Sequence, residues 1–275
     1  MSVESLFYEA VAGGTIPTWV RVNCPECETR VSKLDRRRCL SINSSTGYYK
    51  CWRCSFRGKM SGYSPLITTQ PTIITKQSFE YPVGFYSLAD PVIRNSSVFT
   101  RHFGYLQKRG IEDTIIKSAN IGACVAGYWV NRVIIPCNHN GELFGWSARA
   151  ITEGLQPKYL YPKGMNRTSA MFNRDALSVE TDKPVYIVEG VIDALALFPH
   201  AVAVLGKPTA NHAQAIKREH KRPVVIALDG DAIHEGWSFS MQLKLDGVNV
   251  GFLKLPPGED PATMGKHWVF SQNIV

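Results

Sequence analysis

The stretch Val185-Tyr-Ile-Val-Glu-Gly-Val-Ile-Asp193 decides the fold class of this 275-residue chain. An apolar strand ends at Glu189, Gly190 turns the chain, and Asp193 falls in the first turn of the helix that follows. Strands and helices alternate in this way from Lys183 onward, which predicts a small, mostly parallel α/β sheet. The predicted strands are 185–189, 202–205, 224–229 and 248–255, and the predicted helices are 192–198, 211–220 and 235–245.

Acidic residues follow the predicted strands at one end of the sheet. Val225-Ile-Ala-Leu-Asp-Gly-Asp231 places two aspartates after one strand, and Leu255-Pro-Pro-Gly-Glu-Asp-Pro261 places another after the last. Loops that leave the carboxyl ends of parallel strands form the ligand sites of such sheets, so we expect these acids to converge. Converging carboxylates need cations, and oxygen-only ligands favour Mg²⁺ or Mn²⁺, although each acid alone would be an ordinary helix cap or turn residue. The candidate ligands are Glu189, Asp193, Asp229, Asp231 and Asp260.

Four of the seven cysteines form two C-x-x-C pairs, Cys24-Pro-Glu-Cys27 and Cys51-Trp-Arg-Cys54. Each pair places two thiolates on one tight turn, and two facing turns supply a closed tetrahedral site of the kind that holds structural zinc. The sequence therefore predicts a zinc ribbon with one Zn²⁺ per chain and hairpins over residues 31–49. The alternatives are redox pairs or buried free thiols, and Cys39 is not expected to be a ligand. An odd cysteine count without an export signal argues against disulfides.

The chain carries a net charge of +8, which indicates a polyanionic partner such as nucleic acid, or simply serves solubility. In the basic amino-terminal part, Arg36 and Arg37 supply phosphate contacts and Trp52 a stacking surface for single-stranded DNA. The alternative is that Trp52 braces the ribbon core and the arginines are solvated. No apolar run approaches the roughly 18 residues that a membrane span needs, so no membrane partner is expected, and the expected location is the cytoplasm.

The fold class is α/β, or α+β overall, and composition divides the chain into four segments. Residues 1–60 form the zinc ribbon, 61–82 a linker, 83–182 a basic α+β subdomain and 183–275 the parallel α/β sheet. In the basic subdomain we predict a helix over 111–118 and a hairpin of strands 128–137 and 142–151. The hairpin flanks Asn140-Gly141, a strong turn signal. The basic run 217–222 is expected to be a solvated helix terminus.

The acidic motifs E-G-x-x-D, D-G-D and L-P-P-G-E-D-P resemble the topoisomerase–primase (TOPRIM) fold. Alone they leave topoisomerases, recombination mediators and some nucleases open. The preceding segment resembles the basic RNA-polymerase subdomain of bacterial-type DNA primases through Arg132-Val-Ile-Ile-Pro136, Gly145-Trp-Ser-Ala-Arg149 and Pro157-Lys-Tyr-Leu160. A zinc ribbon followed by a linker at the amino terminus is similar to the order of parts in those primases.

The resemblance implies a nucleotidyltransferase that makes short RNA primers from ribonucleoside triphosphates on a single-stranded DNA template. It implies Glu189, Asp229 and Asp231 as catalytic, Asp260 as a further metal ligand and Asp193 as a supporting one. The positions implied to bind nucleotide phosphates and the template–primer duplex are Arg132, Arg149, Lys158 and either Lys163 or Arg167. Two positions depart from the pattern: Ala262 replaces a frequent second acid, and Lys207-Pro208 stands where a small hydroxyl residue or alanine is more usual.

The sequence contains no G-x-x-x-x-G-K-[ST] motif, so no P-loop ATPase is expected. A separately encoded replicative helicase, and possibly a DNA polymerase, are the expected protein partners. The chain looks like a minimal bacteriophage-type primase that acts in the cytoplasm of a bacterial host, similar to the primase half of phage primase–helicase proteins. Two alternatives remain open: a TOPRIM nuclease, and a zinc-ribbon DNA-binding or recombination-mediator protein whose acids are not catalytic.

Overall fold

The computed structural model describes residues 2–11, 19–44, 46–60, 79–272 and 274. Most of the predicted linker, residues 61–78, lies outside the described residues. The described residues form two compact units, one ending at residue 60 and the other beginning at residue 79. No helix in these described ranges is long and apolar enough to cross a membrane.

The amino-terminal unit is a small antiparallel sheet with strand order β1-β2-β3-β4. Phe7 of the first helix packs on Val20, Leu40 and Ile42 of the sheet, in one buried cluster that also contains cysteines. The unit therefore has the ribbon architecture predicted for it, with a helix added before the first strand. Its elements are α1 (Val3–Val11), β1 (Trp19–Val22), α2 (Cys27–Val31), β2 (Leu40–Asn43), β3 (Tyr48–Cys51) and β4 (Arg57–Lys59).

The larger unit combines an antiparallel sheet, β5-β6-β7-β8-β9, with a second sheet of order β11-β10-β12-β13. Elements of its first half are β5 (Phe85–Ser87), α3 (Pro91–Arg94), α4 (Thr100–Lys108), α5 (Asp113–Ser118), β6 (Gly122–Cys124), β7 (Arg132–His139), β8 (Glu142–Ala150) and β9 (Tyr159–Leu160). Those of its second half are β10 (Val185–Val188), α6 (Val191–Ala196), β11 (Ala201–Ala203), α7 (Ala210–Glu219), β12 (Val224–Ile226), α8 (Ile233–Leu245), β13 (Val250–Phe252), α9 (Pro261–Met264) and α10 (Lys266–Ser271).

Every neighbouring pair in the second sheet is parallel, which confirms the predicted parallel α/β sheet. Val185 and Ile187 of β10 belong to one buried cluster, and Tyr186 and Val188 belong to another on the opposite face. Burial on both faces explains why the strand is a continuous apolar run. The strands end earlier than predicted: β12 stops at Ile226, the last residue paired with both neighbours. The chain beyond it then carries the acidic residues past the sheet edge.

The predicted hairpin is β7–β8, with His139 paired to Glu142 across the Asn140-Gly141 turn. Both turn residues have positive φ, as a two-residue hairpin turn requires. The prediction that the first strand begins at residue 128 is wrong, because residues 127–129 form a 3₁₀ turn. Gly127 and Asn131 both have positive φ and interrupt the extended backbone there.

One buried cluster joins the two sheets of the larger unit. Val133 and Ile135, on one face of β7, belong to it together with Val188 of β10 and Ile192 of α6. The other face of the hairpin, with Ile134 and Trp146, belongs to a separate cluster. Packing through the first face places the end of β8 beside the carboxyl ends of the parallel strands.

Candidate metal centre and active site

The four predicted cysteine ligands converge in the amino-terminal unit. The Sγ atoms of Cys24, Cys27, Cys51 and Cys54 all lie within 4.8 Å of one another. The Cys24–Cys54 and Cys27–Cys51 sulfur pairs are each 3.6 Å apart. Tetrahedral zinc with Zn–S bonds of about 2.3 Å places its sulfurs about 3.8 Å apart, so the donor set and its spacing fit a zinc ion.

Asp35 holds the turn that carries the first cysteine pair. Its buried carboxylate accepts backbone N–H groups of Cys24, Arg37 and Cys39 at 2.7–2.8 Å. Burial alone would raise the pKa of Asp35, but these hydrogen bonds outweigh it and lower the pKa below its ordinary value. Cys39 lies next to this carboxylate and is not part of the four-sulfur group, which agrees with the prediction that it is no ligand.

The predicted DNA-binding residues of the ribbon are exposed. Arg36 and Arg37 lie in the loop before β2, and Trp52 is 70% exposed. The Trp52 indole N–H donates to Ser41 Oγ at 3.0 Å, and the Lys50 Nζ lies 4.8 Å from the ring centroid. The hydrogen bond fixes the ring while its area stays in solvent, so Trp52 does not brace the ribbon core. Lys50 is a cation at this surface that the sequence interpretation missed.

In the larger unit, four of the five predicted acids line one cavity of about 350 Å³. Glu189 and Asp229 follow the ends of β10 and β12, and Asp193 lies in the first turn of α6. Asp260 lies in the loop after β13, where its Oδ1 accepts the Thr263 N–H at 2.7 Å as the amino-terminal cap of α9. The four acids are Glu189, Asp193, Asp229 and Asp260.

Asp231 does not line this cavity. Its exposed carboxylate accepts the Gly258 N–H at 3.0 Å, so it is directed at the last loop. Gly230 separates it from Asp229, and the Gly230 N–H donates to Glu259 O at 2.8 Å. A Cβ at Gly230 would lie 1.8 Å from the Pro256 carbonyl oxygen, so the close packing of these two loops requires glycine there. The sequence interpretation placed both aspartates on one cation, and the structure brings only Asp229 into the cavity.

The clustered acids are poorly solvated as anions. Burial, followed by the charge of Asp229, raises the pKa of Glu189 to about 7. Burial, followed by Asp260 and Asp229, raises the pKa of Asp193 to about 7. The Asp229 Oδ1 atom is buried without a hydrogen-bond partner. An orphaned carboxylate oxygen among other acids fits a hard divalent cation, although no three carboxylates among the described residues lie within 4.8 Å of one another.

Cations and tyrosines also line the cavity. Arg149 is only 7% exposed, and its guanidinium lies 4.8 Å from the centroid of Tyr159. Lys158 lines the same cavity. Burial raises the pKa of Asp229, and the charge of Lys158 offsets part of that rise. Of the two candidates for a further cation, Arg167 lines the cavity and Lys163 does not. The predicted residues Arg149 and Lys158 therefore line the same cavity as the acids, and so does Arg167.

Arg132 is not part of this cavity. It pairs with Ala150, while Arg149 pairs with Val133, so the two arginines lie on opposite faces of the hairpin. The Arg132 side chain is buried, its Nη1 donates to Ala148 O at 3.3 Å, and burial lowers its pKa. The two predicted residues therefore lie on different surfaces, since a one-residue offset reverses the face, and binding of nucleotide or nucleic acid by Arg132 stays a prediction.

Sequence interpretation missed a basic surface on α4. Arg109, just after α4, lines the cavity that holds the acids. An adjoining cavity of about 670 Å³ is lined by Arg101, Gly104 and Lys108 of α4 and by residues 150–156, and it shares Arg109, Arg149 and Lys158 with the first. Arg101 Nη2 donates to Thr152 Oγ1 at 3.0 Å. The seven-residue spacing of Arg101 and Lys108 was the available signal, because it places both on one helix face.

The basic run 217–222 was interpreted as a solvated helix terminus, and this is wrong at its end. Arg222 is 5% exposed, and its guanidinium donates to the carbonyl oxygens of Lys183 and Pro184 at 2.7 and 2.8 Å. It therefore fastens the start of β12 to the segment before β10. Lys217 and Lys221 remain exposed and pair with Asp246 and Glu180.

Comparisons with known proteins agree with this arrangement. The family described as Toprim-like matches residues 186–264. A DNA primase of Myxococcus xanthus is 28% identical over 165 residues, which cover 55% of this chain and 27% of that primase. A DNA primase of Salmonella typhimurium is 27% identical over 212 residues, covering 58% of this chain and 36% of that primase. The chain thus spans only about a quarter to two fifths of the length of curated relatives it matches.

Solved structures of DNA primases have a fold similar to that of this chain. The E. coli primase catalytic core is 26% identical with a TM-score of 0.54, covering 66% of this chain and 73% of that one. A DnaG primase catalytic domain bound to ssDNA is 25% identical with the same TM-score, covering 65% and 69%. The zinc-binding and RNA polymerase domains of Aquifex aeolicus primase share the fold over 96% of this chain and 79% of that one, at 18% identity and a TM-score of 0.51. The predicted resemblance to bacterial-type DNA primases is confirmed, and neither the nuclease nor the mediator alternative is favoured.

Proposed function

We propose that this protein is a DNA primase that synthesises short RNA primers from ribonucleoside triphosphates on single-stranded DNA. One observation carries the proposal. The cavity at the carboxyl ends of the parallel strands is lined both by acids such as Asp229 and by the cations Arg109, Arg149 and Lys158. Such a pairing suits a triphosphate bound together with divalent cations, because cations on the acids and the basic side chains together neutralise its charge.

The reaction needs positioning and charge neutralisation more than covalent help. The 3′-hydroxyl oxygen of one nucleotide forms a bond to the α-phosphorus of the next, the bond from that phosphorus to the β-phosphate bridging oxygen breaks, and pyrophosphate leaves. Arg149 and Lys158 would hold the phosphates, the guanidinium through paired N–H groups. Glu189 would either complete a cation site or accept the hydroxyl proton.

The acids that would hold Mg²⁺ or Mn²⁺ are Glu189, Asp193, Asp229 and Asp260, and Asp231 remains a predicted ligand. When bound, divalent cations would supply positive charge against the triphosphate and the leaving pyrophosphate. Tyr159 and Tyr161 support this arrangement, because Arg149 and Arg167 each lie 4.8 Å from one of their ring centroids. The tyrosines thereby keep both guanidinium groups at the cavity.

The amino-terminal unit would hold one structural zinc ion on its four cysteines and contact the template. Exposed Trp52, with Lys50 over its ring, supports base stacking on the ribbon, and Arg36 and Arg37 would contact phosphates. In the larger unit, the basic cavity along α4 supports a path for a nucleic acid strand that leaves the catalytic cavity. Contact of Arg132 with nucleic acid stays a prediction, and its buried guanidinium also serves to hold the hairpin.

We also propose that this primase is a bacteriophage enzyme that acts in the cytoplasm of a bacterial host. Its protein partners would be a separately encoded replicative helicase and possibly a DNA polymerase. The similarity to DNA primases supports a role in replication.

Purified full-length protein would be incubated with random single-stranded DNA, Mg²⁺ or Mn²⁺ and labelled ribonucleotides. We expect short RNA products without any added primer. Cleaved DNA without incorporation would favour the nuclease, and DNA binding with neither ribonucleotide binding nor incorporation would favour the mediator. Asp246→Asn, an exposed acid on the far end of α8, is the matched control for variants of the acidic cavity.

A further inference from the structure

The loop after β11 is held in an unfavourable backbone conformation beside the catalytic acids. Leu205 has φ +60° and Gly206 has φ +131°, and both residues line the catalytic cavity. A non-glycine residue in the left-handed region costs roughly 1–2 kcal/mol. The Gly206 N–H donates to the Glu189 backbone oxygen at 3.1 Å, which ties the loop to that acid. Strain of this kind is retained where surrounding structure over-determines it, often at ligand sites.

Lys207 is the next residue of this loop, and it departs from the small residue usual in the primases that the chain resembles. Its Nζ lies 2.7 Å from Glu235 Oε1 in the first turn of α8, with the two side chains 76% and 44% exposed. Lys207 does not itself line the cavity, but it directly follows Gly206, which does and whose N–H donates to the Glu189 backbone oxygen, so the flexible lysine stem can reach the cavity from this loop. An ion pair this exposed contributes little, commonly 0–1 kcal/mol, so a polyanion can replace Glu235.

We propose that Lys207 binds the β- and γ-phosphates of the incoming ribonucleoside triphosphate from the loop after β11, and that Glu235 holds its ammonium group beside that loop until the nucleotide arrives. This inference rests on the proposed primase function. The cations that line the cavity are Arg109, Arg149, Lys158 and Arg167, and none of them lies on the loop after β11. Lys207 therefore adds a cation on that loop, next to Gly206. Its flexible stem and compact charge suit terminal phosphates better than a fixed bidentate contact.

Lys207→Ala and Lys217→Ala form a matched pair for the test. Lys217 is also an exposed lysine in an ion pair, 3.2 Å from Asp246, but it lies in the last turn of α7 rather than on the loop whose residues Leu205 and Gly206 line the cavity. We would measure kcat and KM for ribonucleotides in primer synthesis, and equilibrium binding of ATP and AMP with Mg²⁺. Lys207→Ala should raise KM and the dissociation constant of ATP on the order of fivefold, with kcat and AMP binding nearly unchanged. Lys217→Ala should match the wild type.

Glu235→Gln is the complementary variant, because it keeps Lys207 and removes the carboxylate that competes with the nucleotide phosphates for its ammonium group. ATP should then bind more tightly than to the wild type. Unchanged ATP binding in Lys207→Ala, or an equal loss in Lys217→Ala, would overturn the inference. Wild-type protein that binds ATP but makes no primers would refute the proposed function instead, and the binding comparison would still decide the role of Lys207.

Discussion

The four cysteine sulfurs of the amino-terminal unit lie within 4.8 Å of one another, whereas no three carboxylates of the described residues come as close. Cys24, Cys27 and Cys51 are also core residues, with exposures of 3% or less. The acids of the larger unit lie at the edge of a sheet whose apolar clusters are complete without them. From this difference we expect the ribbon to need a zinc ion in order to fold, and the acidic cavity to need cations only for the reaction.

The largest expected effect comes from Cys27→Ser. It removes a ligand that is fully buried, and structural zinc contributes on the order of 10–16 kcal/mol to the folding of such units. We expect zinc to be lost and residues 19–60 to become sensitive to protease, while the larger unit unfolds at its usual temperature. Zinc analysis and limited proteolysis measure both effects.

Cys39→Ser is the matched control, because Cys39 lies in the same unit outside the four-sulfur group. It should retain one zinc per chain and a protease-resistant ribbon. A Cys27→Ser protein with a full zinc content and an intact ribbon would contradict the expectation that the ribbon depends on zinc in order to fold.

Asp229→Asn tests the expectation that the acidic cavity serves the reaction and not the fold. Burial followed by repulsion from Asp260 raises the pKa of Asp229, so the folded state holds its proton more tightly than the unfolded chain. The tighter binding of this proton stabilises the folded state fully below a pH of about 3.8, and this contribution is lost as the pH rises through the pKa of Asp229 in the folded state. At neutral pH the neutral amide should therefore leave the metal-free melting temperature unchanged or higher. Primer synthesis should fall at least about a hundredfold.

Asp231→Asn sharpens this result. Primer synthesis should also be lost if Asp231 is a ligand, but the melting temperature should not rise, because this exposed carboxylate accepts the Gly258 N–H. A large loss of stability in Asp229→Asn would show that the acidic cavity, like the ribbon, depends on its charged groups for folding.

Sequence patterns predicted the parts of these two centres that depend on local chemistry. Paired cysteines, apolar strands followed by acids, and the Asn140-Gly141 turn can each be recognised from residues that are close together in the sequence. The placement of Arg132 depends on the register of β7 and β8, where an offset of one residue reverses the face. The direction of Asp231 depends on the approach of Gly230 to Pro256. No local pattern encodes either contact, and the same holds for Arg109 at the end of α4.

His102→Phe tests whether the larger unit has its own sensitivity to acid, apart from any metal. His102 is 6% exposed, neither ring nitrogen has a partner, and burial lowers its pKa to about 4. The folded-state pKa lies below the unfolded value of about 6.5, so stability is complete above pH 6.5 and is lost as pH falls towards 4. Wild-type protein should lose on the order of 2 kcal/mol through this group by pH 5.

The phenylalanine variant should lose less stability between pH 8 and pH 5 and behave like the wild type at pH 8, as measured by urea unfolding. Phe99, whose ring centroid is 5.8 Å from that of His102, offers an apolar neighbour for the new ring. Equal acid sensitivity in both proteins would assign the loss to other groups, including the buried His212, which also has its pKa lowered to about 4.

The smallest expected effect concerns the basic cavity along α4, where charge serves a partner rather than the fold. Arg101→Ala removes one cation from the cavity that adjoins the acids, and a lost phosphate contact lowers the slope of log affinity against log salt by about one unit. Affinity for single-stranded DNA should therefore fall several-fold at low salt and converge with wild type as salt rises. Arg94→Ala is the control, because exposed Arg94 pairs with Asp113 and does not line this cavity. Equal slopes for Arg101→Ala, Arg94→Ala and wild type would make Arg101 a structural partner of Thr152 alone.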